Sequence, residues 1–128
     1  MEREDCIAVH EMMLARDGGL AGLRDEGLLA SALAKPQHLH TYGFPNLAEL
    51  SASYAAGIVI NHPFVDGNKR TGFVMAAMFL EINGLIFAAS EESVVEKTLK
   101  LASGELKQPD YAKWLEENSR PEKQARPL

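Results

Sequence analysis

The sequence predicts an all-α fold, a compact bundle of about six helices with one polar motif loop between two central helices. Three observations predict it. Apolar residues recur at helical spacing along nearly the whole chain. The breaks in that pattern fall at Gly18-Gly19, Pro36, Pro63, Asn83-Gly84 and Gly104, residues whose backbone chemistry stops helices. Leu85-Ile86-Phe87 reads as a short extended connector at most.

Ile7, His10, Glu11 and Leu14 share one face of a first helix, which Gly18-Gly19 closes because glycine accepts the left-handed geometry of a cap. Asp25 caps a second helix carrying Leu28, Leu29, Ala32 and Leu33, and Pro36, which has no N–H to donate, is expected to stop it. The stretch Gln37 to Pro45 has no clear period and reads as a loop or short hairpin. Asn46 caps a third helix with Leu47, Leu50, Tyr54, Ile58 and Val59 on its buried face. Pro63 biases the residue before it away from helical angles, so this helix ends near Asn61. A fourth helix starts close to Asn68 and runs to Asn83-Gly84. Its middle, FVMAAMFL, is apolar all round, as expected of a helix surrounded by others. Ser90, followed by Glu91 and Glu92, opens a fifth helix bearing Val94, Val95, Thr98, Leu99 and Ala102, which Gly104 closes. Pro109 fits the first turn of a last helix, packed through Tyr111, Trp114 and Leu115. The segment SRPEKQARPL has two prolines and almost nothing apolar, so the chain divides into one domain over 1–118 and a flexible C-terminal tail over 119–128.

Composition narrows the class. The chain has 128 residues, 46% of them hydrophobic and 24% charged, which is one soluble globular domain's worth. Thirteen basic against eighteen acidic residues give a net charge of −5, which argues against direct nucleic-acid binding. A single cysteine, Cys6, cannot close an internal disulfide and suits a reducing compartment. The longest apolar run, Phe73 to Leu80, is eight residues, against about 20 for a membrane span. The acidic start MEREDCIAV is unlike a secretory signal. The expected location is the cytoplasm, with no membrane contact.

The distribution of charge is more informative than its total. Residues 51–90 hold only four charged side chains, Asp66, Lys69, Arg70 and Glu81, and three of these fall in the stretch HPFVDGNKRT. Charge beside a buried bundle is costly unless it is paired, solvated or used. Each residue type in this stretch has a chemical use. Gly67 allows unusual backbone angles, so successive N–H groups could line one concavity. The helix beginning there offers unpaired N–H groups and a positive dipole end to an anion, with cationic Lys69 and Arg70 beside it. Asp66 is a hard oxygen ligand suited to Mg²⁺, and His62 can serve as a general base. Together they are the equipment of phosphoryl-type transfer. The plainer alternative is a capped turn at Asp66-Gly67-Asn68 with a structural His62–Arg70 pair. No Walker-A or GxGxxG pattern is present.

His62-Pro63-Phe64-Val65-Asp66-Gly67-Asn68-Lys69-Arg70 resembles the signature of the Fic/Doc superfamily, HxFx(D/E)(G/A)N(G/K)R, and most of all its Doc (death-on-curing) branch. The likeness extends over Gly18-Gly19-Leu20, Gly22-Leu23-Arg24-Asp25, Ala32-Leu33, Phe79-Leu80, Asn83-Gly84 and Ala102-Ser103-Gly104-Glu105. Fic enzymes, which mostly transfer AMP, carry glycine at the position of Lys69 and a second arginine at that of Phe73; both departures are Doc-like, whereas Gly67 is Fic-like, standing where Doc has alanine.

The Doc resemblance implies a toxin of a type II toxin–antitoxin pair. Such a toxin is a kinase that moves phosphate from ATP to a threonine of elongation factor Tu and so blocks translation. It implies ATP and Mg²⁺ as cofactors, His62 as the base, Asp66 on the metal, and Gly67, Asn68, Lys69 and Arg70 on phosphates. Phe64 would anchor the loop in the core and Pro63 would stiffen it. The resemblance places a target-docking flap in the Gln37–Pro45 loop, at Leu39, His40, Thr41 and Tyr42. No inhibitory (S/T)xxxE(G/N) helix occurs in the sequence. Inhibition is therefore expected in trans, from a Phd-type antitoxin whose C-terminal segment folds into a groove. Two other functions stay open: AMP transfer of the Fic type, and a non-catalytic partner that binds an antitoxin and tunes its repression. His38 and His40 lack a third metal ligand and read as solvated; the methionines read as core.

Overall fold

The computed structural model describes residues 1–122. Six helices follow one another: α1 (Arg3–Asp17), α2 (Glu26–Tyr42), α3 (Leu47–Asn61), α4 (Asn68–Ile82), α5 (Glu91–Ser103) and α6 (Gln108–Glu117). Two short strands, β1 (Leu85–Phe87) and β2 (Ser119–Pro121), pair antiparallel with Phe87 opposite Ser119. The all-α class and the six helices are as the sequence predicts.

Caps set most boundaries. The Asp25 carboxylate accepts from the Leu28 N–H, Ser90 Oγ accepts from Ser93 N–H, and Asn46 with Glu49 closes a reciprocal capping box. Gly18 ends α1 at a positive φ, its N–H bonded to Leu14 O.

Three expectations are corrected. Pro36 does not stop α2, which continues through it to Tyr42. A proline inside a helix leaves the carbonyl four residues earlier, that of Ala32, without its donor. That carbonyl faces the bare Cα of Gly57 on α3, where an added Cβ would lie 2.8 Å from the oxygen. Burial of Pro36 and close α2–α3 packing thus hold the helix on. The helix enclosed on all sides is α3 rather than α4: eleven of its residues are buried, against six in α4. Its alanines, serines and Gly57 let neighbours approach closely, and Gly72 of α4 does the same where a Cβ would meet Val59 at 2.7 Å. Finally, the tail expected from 119 is ordered at its start, because Ser119–Pro121 pair with β1. The remainder of that tail, 123–128, lies outside the described residues.

The core has two parts. One gathers Tyr111, Trp114 and Leu115 of α6 with Leu80, Leu101 and the alanines of α3. The other gathers Cys6, Val9 and Met13 of α1 with Leu29, Tyr54, Ile58, Phe64 and Met75. Phe64, 1% exposed, carries the motif loop into this second part, as an anchor should. Among the described residues no helix is long and apolar enough to cross a membrane.

Candidate functional site

The motif loop leaves α3 through His62, whose φ of 56° and ψ of 53° place it in the left-handed region, the one positive-φ residue other than glycine among those described. Such backbone costs about 1–3 kcal/mol and persists only where surroundings enforce it. Here they do. The Arg24 guanidinium donates to the carbonyls of His62 (2.8 Å) and Asn61 (3.1 Å), and the N–H groups of Arg24 and Asp25 both donate to Pro63 O. Val65 N–H donates to Gly22 O at 3.0 Å, and Leu23 bridges Phe64. The α1–α2 connection therefore clamps the loop strand-like along its length. The His62 side chain is left exposed at the cleft.

The Asp66 carboxylate accepts from Leu20 N–H at 3.2 Å and from Gly67 N–H at 2.8 Å. These bonds, Leu20's foremost, hold its carboxyl below the usual carboxylate range, with smaller help from nearby His10 and His62 against a weak opposing effect of burial. Gly19 makes this approach possible: it has φ +119°, and a Cβ there would lie 2.9 Å from Asp66 Oδ2. The two accepted bonds leave roughly two lone-pair sites on the carboxylate. One carboxylate supplemented by water and phosphate oxygens is a donor set that fits Mg²⁺.

The Asn68 side chain is occupied within the loop, so any hold on phosphate falls to its backbone N–H. The residue is 3% exposed, its Oδ1 accepts from Phe64 N–H and its Nδ2 donates to Phe64 O, both at 2.9 Å. Its amide folds the loop back on itself. Gly67 is likewise occupied: its N–H already serves Asp66. The donors left for an anion are the N–H groups of Asn68, Lys69 and Arg70, because α4 has no side-chain cap and Thr71 N–H is the one that turns back to Gly67 O. The Lys69 and Arg70 side chains are exposed beside these donors. Arg70 pairs with Asp17 at the end of α1 and not with His62, so the plain structural pairing suggested by sequence is absent among the described residues.

His62, Asp66, Gly67, Asn68, Lys69 and Arg70 line one cleft of about 670 Å³ between the end of α1, the motif loop and α5. Apolar side chains of α4 and α5 also line it: Phe73, Val74, Val94, Val95 and Leu99. Phe73 also belongs to an aromatic group with Phe87 and Trp114.

Leu39, His40, Thr41 and Tyr42 are not brought to this cleft. They form the last turn of α2. Leu28 of α2 meets Asn61 and Ala32 meets Gly57, so the two helices run antiparallel. Residues 39–42 therefore sit three to four turns of helix, roughly 16–21 Å, from the level of His62. Pro36 predicts a helix end and hence a loop over 37–45, and tertiary packing overrides it.

Two residues escaped sequence reasoning. Arg24 stood only within the stretch of family likeness Gly22-Leu23-Arg24-Asp25, with no role attached to it. His10 showed only as one member of a helix face. It is buried, stacked on Phe64 at 3.8 Å with an interplanar angle of 8°, and its Nε2 lies 2.8 Å from Asp66 O.

Fold and site together define a small all-α protein with a histidine, an acid and two cations converging on a helix N-terminus. Residues 1–80 match the Fic/DOC family. The chain is 39% identical over 92 residues to Toxin Doc of Mycolicibacterium smegmatis, covering 70% of this chain and 68% of that protein. It is 35% identical over 104 residues to Protein kinase doc of Escherichia phage P1, covering 80% and 82%. The chain belongs to the Fic/DOC family.

Proposed function

We propose that this chain is the toxin of a toxin–antitoxin pair and that it transfers the γ-phosphate of ATP to a threonine hydroxyl of elongation factor Tu, arresting translation in the bacterial cytoplasm. One observation carries the reading: the side chains of His62, Asp66, Lys69 and Arg70 meet in a single cleft at the uncapped start of α4. The names of the relatives, one a toxin and one a protein kinase, support it. Lys69 and Phe73 stand where an AMP-transferring member would carry glycine and a second arginine.

In this reading the His62 imidazole takes the proton of the threonine hydroxyl as its oxygen bonds to the γ-phosphorus. The bond from that phosphorus to the β–γ bridging oxygen breaks, and ADP leaves with the electron pair. Lys69, Arg70 and the first N–H groups of α4 hold the phosphate charge through the transfer. Mg²⁺ bound at Asp66 would neutralise phosphate charge further. The Arg24 clamp and the Asn68–Phe64 bonds keep His62 at the cleft while the phosphates bind. A Phd-type antitoxin would inhibit by seating a helix on the apolar side chains of the cleft.

Expression in growing cells tests the reading. Wild type should arrest growth and leave phosphothreonine on elongation factor Tu, detected by mass spectrometry. His62→Ala should lose about 10²–10⁴ of the transfer rate and spare growth. Equal toxicity of the two would overturn it.

A further inference from the structure

We infer that Asp17 sets the nucleotide affinity of the cleft by occupying Arg70 in the place of a phosphate. The inference rests on the reading of Arg70 as a phosphate ligand. Asp17 is the last residue of α1 and Arg70 stands in the first turn of α4. They belong to different elements and both line the cleft. Asp17 Oδ2 pairs with an Arg70 Nη, while its Oδ1 lies 3.8 Å from Arg16 Nε. The carboxylate thus sits between two guanidinium groups, the surroundings in which proteins hold phosphate oxygens.

The two cleft acids are used differently. Asp66 spends its lone pairs on backbone N–H groups and fixes the loop. Among the described residues Asp17 faces guanidinium groups alone, and a ligand oxygen can replace it there. Its side chain is 31% exposed and that of Arg70 45%. An ion pair so open to solvent is weak and exchangeable. A polyphosphate carries more charge than one carboxylate and can displace it; a monophosphate gains less from the exchange. Asp17 therefore lowers affinity, and most for ligands whose phosphates compete for Arg70.

Calorimetric titration of Mg-ATP, with no acceptor protein present, tests this in wild type, Asp17→Asn, Arg70→Ala and the double variant. Asparagine keeps the shape of Asp17 and removes its charge, and at an exposed helix end it should leave the unfolding midpoint unchanged. Asp17→Asn should tighten Mg-ATP by about two- to fivefold, the strength expected of such an exposed pair. AMP should gain less. Arg70→Ala should weaken Mg-ATP, and Asp17→Asn should give no comparable tightening in that background. Unchanged or weaker binding by Asp17→Asn overturns the inference and leaves Arg70 as a phosphate ligand. Equal tightening in both backgrounds overturns it in favour of a long-range charge effect. Undiminished binding by Arg70→Ala removes this inference together with the phosphate reading on which it rests.

Discussion

The motif loop and the aromatic cluster flank the same helix, α4, and are held by different physics. Around the loop, beside the buried Phe64 ring stacked on His10, contacts are hydrogen bonds that engage backbone groups: Arg24 on the His62 carbonyl, Asn68 on both polar groups of Phe64, the N–H groups of Leu20 and Gly67 on the Asp66 carboxylate, and His10 against Asp66 O. On the other flank, Phe73, Phe87, Tyr111 and Trp114 pack ring against ring at centroid distances of 5.2–6.5 Å. Area burial is tolerant of small shifts and supplies stability. Hydrogen bonds are directional and fix where a side chain points. A chain that must hold His62 in a left-handed conformation uses the directional kind there and leaves bulk stability to the rings.

Substitutions on each flank should separate these roles. The largest loss of stability is expected on the ring side: Trp114→Ala should cost about 3–5 kcal/mol in denaturant unfolding. Nucleotide affinity per folded molecule should be preserved. On the loop side, Asn68→Ala leaves the Phe64 N–H and C=O unpaired in a buried place and should cost about 1–3 kcal/mol. Its transfer rate should fall further than its folded fraction does. If Trp114→Ala and Asn68→Ala reduce activity only in proportion to unfolding, the division of labour is wrong. Lys69→Gly leaves the clamp intact and should slow phosphate transfer with little change in unfolding midpoint, because the side chain is exposed. The smallest effect belongs to Cys6. Burial pushes its thiol up to about 12, so a thiol reagent at neutral pH should label it only after unfolding.

Local chemistry made much of the fold readable beforehand. Asp25, Asn46 and Ser90 cap where their side chains said they would, because a cap needs only its own helix. Pro36 misled, since whether a helix passes a proline depends on what faces the freed carbonyl, here Gly57 on another helix. The deep burial of α3 was hidden by its alanines and serines, which look weakly apolar yet suit the closest packing. The pairing of Ser119–Pro121 with β1 joins segments more than thirty residues apart and leaves no local pattern. The site shows the same boundary. His62, Asp66, Lys69 and Arg70 were legible as one charged island in an apolar stretch. The residues that aim them, His10, Gly19 and Arg24, come from α1 and the connection after it, and only the folded chain shows them meeting the loop. Asn68 was legible as part of the site, but its neighbours in sequence do not reveal that its amide is spent on Phe64.

The central claim is that a histidine at the cleft moves the terminal phosphate of ATP to a protein hydroxyl. The most direct measurement supplies ATP labelled at either the γ- or the α-phosphate to the purified protein and elongation factor Tu. γ-Label alone is expected on the factor, and His62→Ala should abolish it. Transfer of α-label would contradict the account and make the chain an AMP transferase.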